Sequence, residues 1–223
     1  MNTTAMQAGT QLRSFKMMHK ALFFCGILSS LLYTAMNLFI PMQFPGYSVA
    51  SQTVSELSAI GAPTRPLWVW LSTIYTLLIL AFGWGLWHAA QNNRPLRIVG
   101  VLIFVHGIID IFWPFAPMHL RGAEFTSTDV MHIILGAVTV LLMMLIFGFG
   151  AVAFGKQFRI YSTVSIIIFI VFRILTGLDS PRIAANLPTP WIGIWERINI
   201  GVFMLWLIVL AIILLRRENS QRY

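Results

Sequence analysis

Apolar residues in this chain come in six nearly unbroken runs, about 21–40, 67–90, 96–115, 130–154, 160–178 and 195–215, divided by short polar stretches. A hydrocarbon core of about 30 Å takes roughly twenty helical residues to cross, and only helices or closed barrels satisfy backbone polar groups in lipid. The pattern predicts an all-α fold, a polytopic membrane protein built as a six-helix transmembrane bundle. Residues 1–20 read as a disordered tail, 21–215 as the membrane domain and 216–223 as a basic tail. The first run has no small-x-small cleavage site before Pro41, so it reads as a retained span rather than a signal peptide.

The connections differ on the two sides. Arg13, Lys16, Lys20, Arg94, Arg97, Lys156, Arg159, Arg216, Arg217 and Arg222 fall on one side, Glu56, Glu124, Asp129, Asp179 and Glu196 on the other with Arg65, Arg121, Arg182 and Arg197. Cytoplasmic loops retain Lys and Arg near helix ends, which predicts both termini inside and the acidic connections outside, in a plasma (inner) membrane. Composition agrees with the hydropathy pattern: 58% of the 223 residues are hydrophobic, 10% are charged, and mean hydropathy is +0.80. The net charge of +8 is spread over helix ends instead of forming a basic patch, so no nucleic-acid partner is expected. A single cysteine, Cys25, excludes an intramolecular disulfide or a cysteine-rich metal site.

The first outer connection holds Thr53 and Glu56 at capping-box spacing, with Gly61 and Pro63 suited to a stop, which predicts a short interfacial helix over about 54–60. Ser51, Ser55 and Glu56 could line a cavity as well as cap. The run Ser51, Ser55, Glu56, Leu57, closed by Gly61 and Pro63, resembles the first outer loop of the prokaryotic membrane family called domain of unknown function 998. His132 and the stretch from Gly193 to Ile198, with Glu196 and Arg197, sit where that family commonly shows a His and a Glu-Arg pair. The resemblance covers about 22–215. It implies a six-helix membrane protein and no established activity. One departure stands out: where the family tends to place an acid after Phe-Pro, this chain reads Trp113-Pro114-Phe115-Ala116.

Ionisable residues inside a membrane span are costly and must find partners, so each is a candidate site residue. His106 and Asp110 are four apart on one helical face, where the carboxylate can fix the imidazole tautomer, an arrangement used behind general bases and metal-bound histidines. Arg173 reaches nearly the depth of Asp110, so an Asp110–Arg173 ion pair between helices is expected. Asp129 and His132 share the first turn of the fourth helix, where Thr128 or Asp129 can cap it. His106, Asp110 and His132 together offer two nitrogens and a carboxylate, enough for an open zinc site, although the spacing matches no zinc motif. Asp179 to Arg182 reads as a solvated turn.

Three functions compete. The first is a site open to the outside, lined by Ser55, Glu56, His106, Asp110, His132, Arg173, Glu196 and Arg197, that binds or moves an amphiphilic or lipid-like small molecule, with Arg173 or Arg197 on its head group. The second is an intramembrane lipid hydrolase, metal-dependent or using Ser55 with His106 or His132, although no Gly-x-Ser-x-Gly or His-Glu-x-x-His motif is present. The third is an accessory protein whose buried pairs only specify the fold. Membrane lipids are partners under every reading.

Overall fold

The computed structural model describes the backbone of residues 3–220 and the side chains of residues 15–220. Six helices carry the chain: α1 (Thr3–Phe39), α2 (Arg65–Ala89), α3 (Arg94–Asp110), α4 (Ser127–Ala153), α5 (Lys156–Ala184) and α6 (Ile192–Ser220). All six are long and apolar enough to cross a membrane, with mean hydropathies from 1.7 to 2.9. Each packs on its neighbours in sequence, and α1 closes the ring against α6. An even number of spans puts both termini at one end, and His19 meets Glu218 there at 3.1 Å. That end is the terminal end here; the opposite one, with the three longer connections, is the loop end.

Helix limits depart from the apolar runs for local reasons. The helix over residues 3–20 continues into the first span where a disordered tail was expected, and α6 runs on to Ser220 beyond its apolar run. Arg13 and Arg222, counted above among the basic residues of this end, lie outside the described side chains. Helix α3 stops at Asp110, short of residue 115: Ile111 and Phe112 bond three residues back, and Pro114 continues as a 3-10 turn, Trp113–Phe115. Proline has no amide to give and restrains the residue before it, which ends the α-helical ladder. The stretch 179–182, expected as a solvated turn, is instead the last turn of α5, which ends at Ala184 before the left-handed Asn186 (φ 52°).

The half of the bundle toward the terminal end is filled by rings. Phe147 meets Phe169, Phe203 and Trp206 edge-on at 5.6, 5.7 and 5.4 Å, and Trp206 donates its indole N–H to Ser162 Oγ at 2.9 Å. Edge-to-face pairs of this kind add about 0.5–1.5 kcal/mol each beyond burial. Helices α2 and α3 touch backbone to backbone at Gly83 and Gly100, where a Cβ would come within 2.6 Å of the facing chain. Small residues let membrane helices approach in this way. Hydroxyls within the spans, such as Ser29, Ser30, Thr76 and Thr176, return their protons to carbonyls three or four residues back, so these hydroxyls are satisfied locally.

Candidate functional site

Polar side chains gather toward the loop end, and the first connection, 40–64, organises them. Val54 and Leu57 bury against Met36, Ile40 and Trp68, which holds the connection down on α1 and α2. The expected short helix is a 3-10 turn, Val54–Ser58. Glu56 caps it as the spacing predicts, accepting from the Thr53 amide at 2.7 Å, yet its carboxylate also does something else. It is fully buried and takes Arg121, from the α3–α4 connection, on both oxygens, at 2.7 Å from Nε and 3.0 Å from Nη2. Arg121 goes on to Thr189 Oγ1 and Ser51 O, each at 2.7 Å, and Thr189 donates to the same Ser51 carbonyl at 2.8 Å. One ion pair thus ties all three loop-end connections together. Fork-to-carboxylate geometry is the strongest form such a contact takes.

The start of α6 closes the other side of this clasp. Glu196 accepts from the Val54 amide at 2.5 Å. Arg197 donates through Nη1 to Val49 O at 2.8 Å and Gln52 O at 3.2 Å, and through Nη2 to Tyr47 OH at 2.7 Å. Tyr47 in turn donates to Thr53 O at 2.7 Å. Burial pushes the Tyr47 phenol up to about 12, the neighbouring Arg197 guanidinium acting the other way. Gly193 lies flat against the connection: its amide donates to Ala50 O at 2.9 Å, and a Cβ there would stand 2.2 Å from Gln52 O.

Helices α3 and α4 contribute separate pairs. His106 Nδ1 and Asp110 Oδ2 lie 3.0 Å apart, as their spacing predicts, and the ring stacks on Phe203 at 5.5 Å. His106 Nε2 is buried without a partner. His132 faces away from this pair, its Nδ1 on Ala116 O at 2.9 Å and its ring against Trp113 at 4.8 Å. Asp129 forms a capping box with Thr126, which is the cap where Thr128 or Asp129 was expected. It also accepts from His119 N at 2.8 Å and meets His119 Nδ1 at 2.8 Å. Among the described residues no three His, Cys, Asp or Glu side chains are grouped closely enough to hold a metal ion, so His106, Asp110 and His132 do not form the set a zinc site needs.

The expected Asp110–Arg173 ion pair does not form, because Asp110 is taken by the histidine one turn below it on its own helix. Half-buried Arg173 makes no side-chain hydrogen bond or ion pair within the described residues; the acid whose charge it meets is Glu196, across the α5–α6 contact. Its backbone is held instead. Asn199, turned as its neighbours require, donates to Phe169 O at 2.8 Å and accepts from the Arg173 amide at 3.0 Å, inserting an amide into the α5 ladder. Tyr33, against Tyr75 at 4.8 Å, lies within electrostatic reach of both Asp110 and Glu196. Tyr33 and Glu196 are both half-buried. Glu196 thus meets the charge of Arg173 and, like Asp110, is within electrostatic reach of Tyr33, whereas Glu56 and Arg197 are spent within the clasp. Ser55 lies half-buried in the turn, and His132 belongs to the α3–α4 connection.

Sequence reasoning missed Arg121, Thr189, Tyr47, Gln52 and Tyr33. One signal was available: Arg65, Arg121, Arg182 and Arg197 all fall on the side that holds few basic residues, and all four prove to bond carbonyls or acids of the loop-end connections, Arg182 through Pro188 O at 2.9 Å. Arg65 reaches Ser58 O at 2.6 Å and Pro114 O at 3.0 Å, Arg121 takes Glu56, and Arg197 takes Val49 and Gln52.

Compared with known families, residues 27–213 match the model described as "Protein of unknown function (DUF998)". Neither the curated proteins nor the solved structures give a match.

Proposed function

We propose, starting from the fact that the chain belongs to the DUF998 family of membrane proteins of unknown function, that it binds an amphiphile by its anionic head group beneath the loop-end clasp. The observation that carries the reading is Arg173. An arginine inside a span costs several kcal/mol unless compensated, and this one is given neither a hydrogen bond nor an ion pair by the described residues. It lies about 16 Å below the end of α5 at the helical rise of about 1.5 Å per residue. A carboxylate or phosphate head group supplies the missing partner, and the apolar tail lies along the spans. Glu196, whose charge Arg173 meets, selects against a second negative charge.

Orientation belongs to the same proposal. The terminal end carries most of the basic residues and is placed in the cytoplasm, with the clasp outside a plasma membrane. A cytoplasm-specific reporter fused after residue 223 tests it; activity only on the far side would reverse the assignment.

The binding test uses purified protein in a neutral detergent, with dodecyl phosphate and dodecanoate as anionic probes and dodecanol as the neutral one. The anionic probes raise the melting temperature and dodecanol does not. Arg173→Gln inserts and folds but loses that rise, since a ligand at 100 times its Kd stabilises by about 2.7 kcal/mol. An undiminished response in the folded variant would end the reading. A hydrolytic role has one observation in its favour, the His106–Asp110 pair with its bare Nε2. Turnover of a fluorogenic lipid ester that disappears in His106→Gln would establish it in place of binding alone.

A further inference from the structure

The terminal end holds a second feature, remote from the clasp. A cavity of about 510 Å³ opens sideways where the α4–α5 turn meets the lower part of α6, walled by Phe158, Tyr161, Val209 and Ile213 and rimmed by Lys156 and Arg217. We propose that it is a binding site for an anionic glycerophospholipid, with the phosphodiester on the rim and the acyl chains along the α5–α6 groove.

Three independent observations meet here. The first is charge. Among the described residues, Lys156 and Arg217 have no carboxylate within ion-pair distance, and Glu218, next in sequence to Arg217, is engaged by His19 at 3.1 Å. Arg217 is held by an aromatic face, its guanidinium 4.4 Å from the Phe154 ring centre, which fixes the cation over the opening while leaving its donors unused. The second is the shape and chemistry of the wall. Phe158 is packed by Phe154 at 5.1 Å and Trp206 at 5.5 Å, so the apolar side of the cavity is built on interlocked rings. The third is the turn itself. Gly155, which lines the cavity, leads into the 29-residue α5 without a side-chain cap, which leaves its first-turn amides without one, and a Cβ added at Gly155 would meet nothing within 4 Å. Open space, uncapped amides and two unpaired cations are complementary to a phosphodiester, and basic pockets between spans take anionic head groups. A zwitterionic lipid brings a cation to the same rim, and a free phosphate leaves the apolar wall unused.

Native mass spectrometry of the delipidated full chain, titrated with phosphatidylglycerol, phosphatidylcholine or inorganic phosphate, reads the site directly. Phosphatidylglycerol is expected to bind at least tenfold more tightly than phosphatidylcholine, and inorganic phosphate not measurably. Juxtamembrane cations contribute about a fivefold change in affinity each, so Lys156→Gln with Arg217→Gln should weaken phosphatidylglycerol roughly twentyfold. Gly155→Phe, at an ordinary φ of −67° and with room for its ring, should fill the head-group space without disturbing the fold and lose the lipid with both cations intact. Arg173→Gln should keep it, which separates this site from the loop-end one. Equal affinity for the two lipids, or folded Gly155→Phe and charge-neutral variants that retain phosphatidylglycerol, would overturn the proposal.

Discussion

Removing the Glu56 carboxylate should open the loop end without unfolding the bundle. The side chain is fully buried and accepts five bonds, two from Arg121, two from Thr53 and one from Gln52 Nε2 at 3.2 Å. Breaking one side of a buried ion pair costs about 3–5 kcal/mol, because the other charge is stranded. Arg121 is less stranded than that. Its side chain is 17% exposed and keeps Thr189 Oγ1 and Ser51 O as acceptors, which lowers the expectation for Glu56→Ala to about 2–3 kcal/mol. Hydrogen exchange is the fitting assay, since the loss falls on one cooperative part of the fold. The amides of Ile60, bonded to Met118 O at 2.8 Å, and of Gly193, bonded to Ala50 O, report on the clasp. They should exchange roughly 30- to 160-fold faster in Glu56→Ala, with core amides of α2 and α3 unchanged. Arg121→Met should match it, and the double variant should cost much less than the sum of the two. Additive effects, or unchanged exchange at Ile60 and Gly193, would show that the clasp does not depend on this pair. Added salt should leave the result in place, since a buried pair is weakly screened.

Gly193→Ala puts a methyl group 2.2 Å from one carbonyl oxygen and 2.4 Å from another, so the first connection must lift off α6; a melting temperature lower by more than 5 °C in detergent is the expected reading. Gly83→Val, pressed into the α3 backbone at 2.6 Å, should prevent recovery of monodisperse protein, whereas Gly148→Ala, with open space around it, should be neutral. Tyr47 gives a pH dependence. Its pKa is raised in the folded state, so its contribution is fully present below the ordinary value of 10 and is lost as pH climbs from 10 toward about 12; Tyr47→Phe should flatten that part of the stability profile.

How much of this was legible beforehand depended on whether the cause was local. The six spans follow from runs of about twenty apolar residues, and the Thr53–Glu56 capping box and the His106–Asp110 contact from spacings of three and four, all fixed by the helix itself, whereas the cap of α4 falls on Thr126 and not on Thr128 or Asp129. Helix ends at Asp110 and Ala184 were misjudged because the proline effect at Pro114 is sharp while Pro181 sits in a last turn that tolerates it. The Asp110–Arg173 pair failed for another reason: equal depth on two helices says nothing about rotation, and Asp110 already had a partner one turn away. Arg121 was invisible as a clasp residue because its contact with Glu56 spans 65 positions and exists only once α3 and α4 have brought their connection over the first one.

The distribution of glycines and polar side chains separates two kinds of packing along the bundle axis. Toward the terminal end, Gly83 against Gly100 and Gly150 under Trp206 bring helices close, and interlocked rings leave little room to move. Beneath the loop end, Asn199 of α6 hydrogen-bonds the backbone of α5 and Glu196 meets the charge of Arg173, with Ile200 packing against both hydrophobic clusters. Membrane hydrogen bonds of that sort are worth about 0.6 kcal/mol on average, so such a region can rearrange at a cost that tight ring packing does not permit. On the proposed reading, a head group that pairs with Arg173 would act on this polar contact and not on the packed rings, and the clasp above it is the part whose position such a ligand would bias.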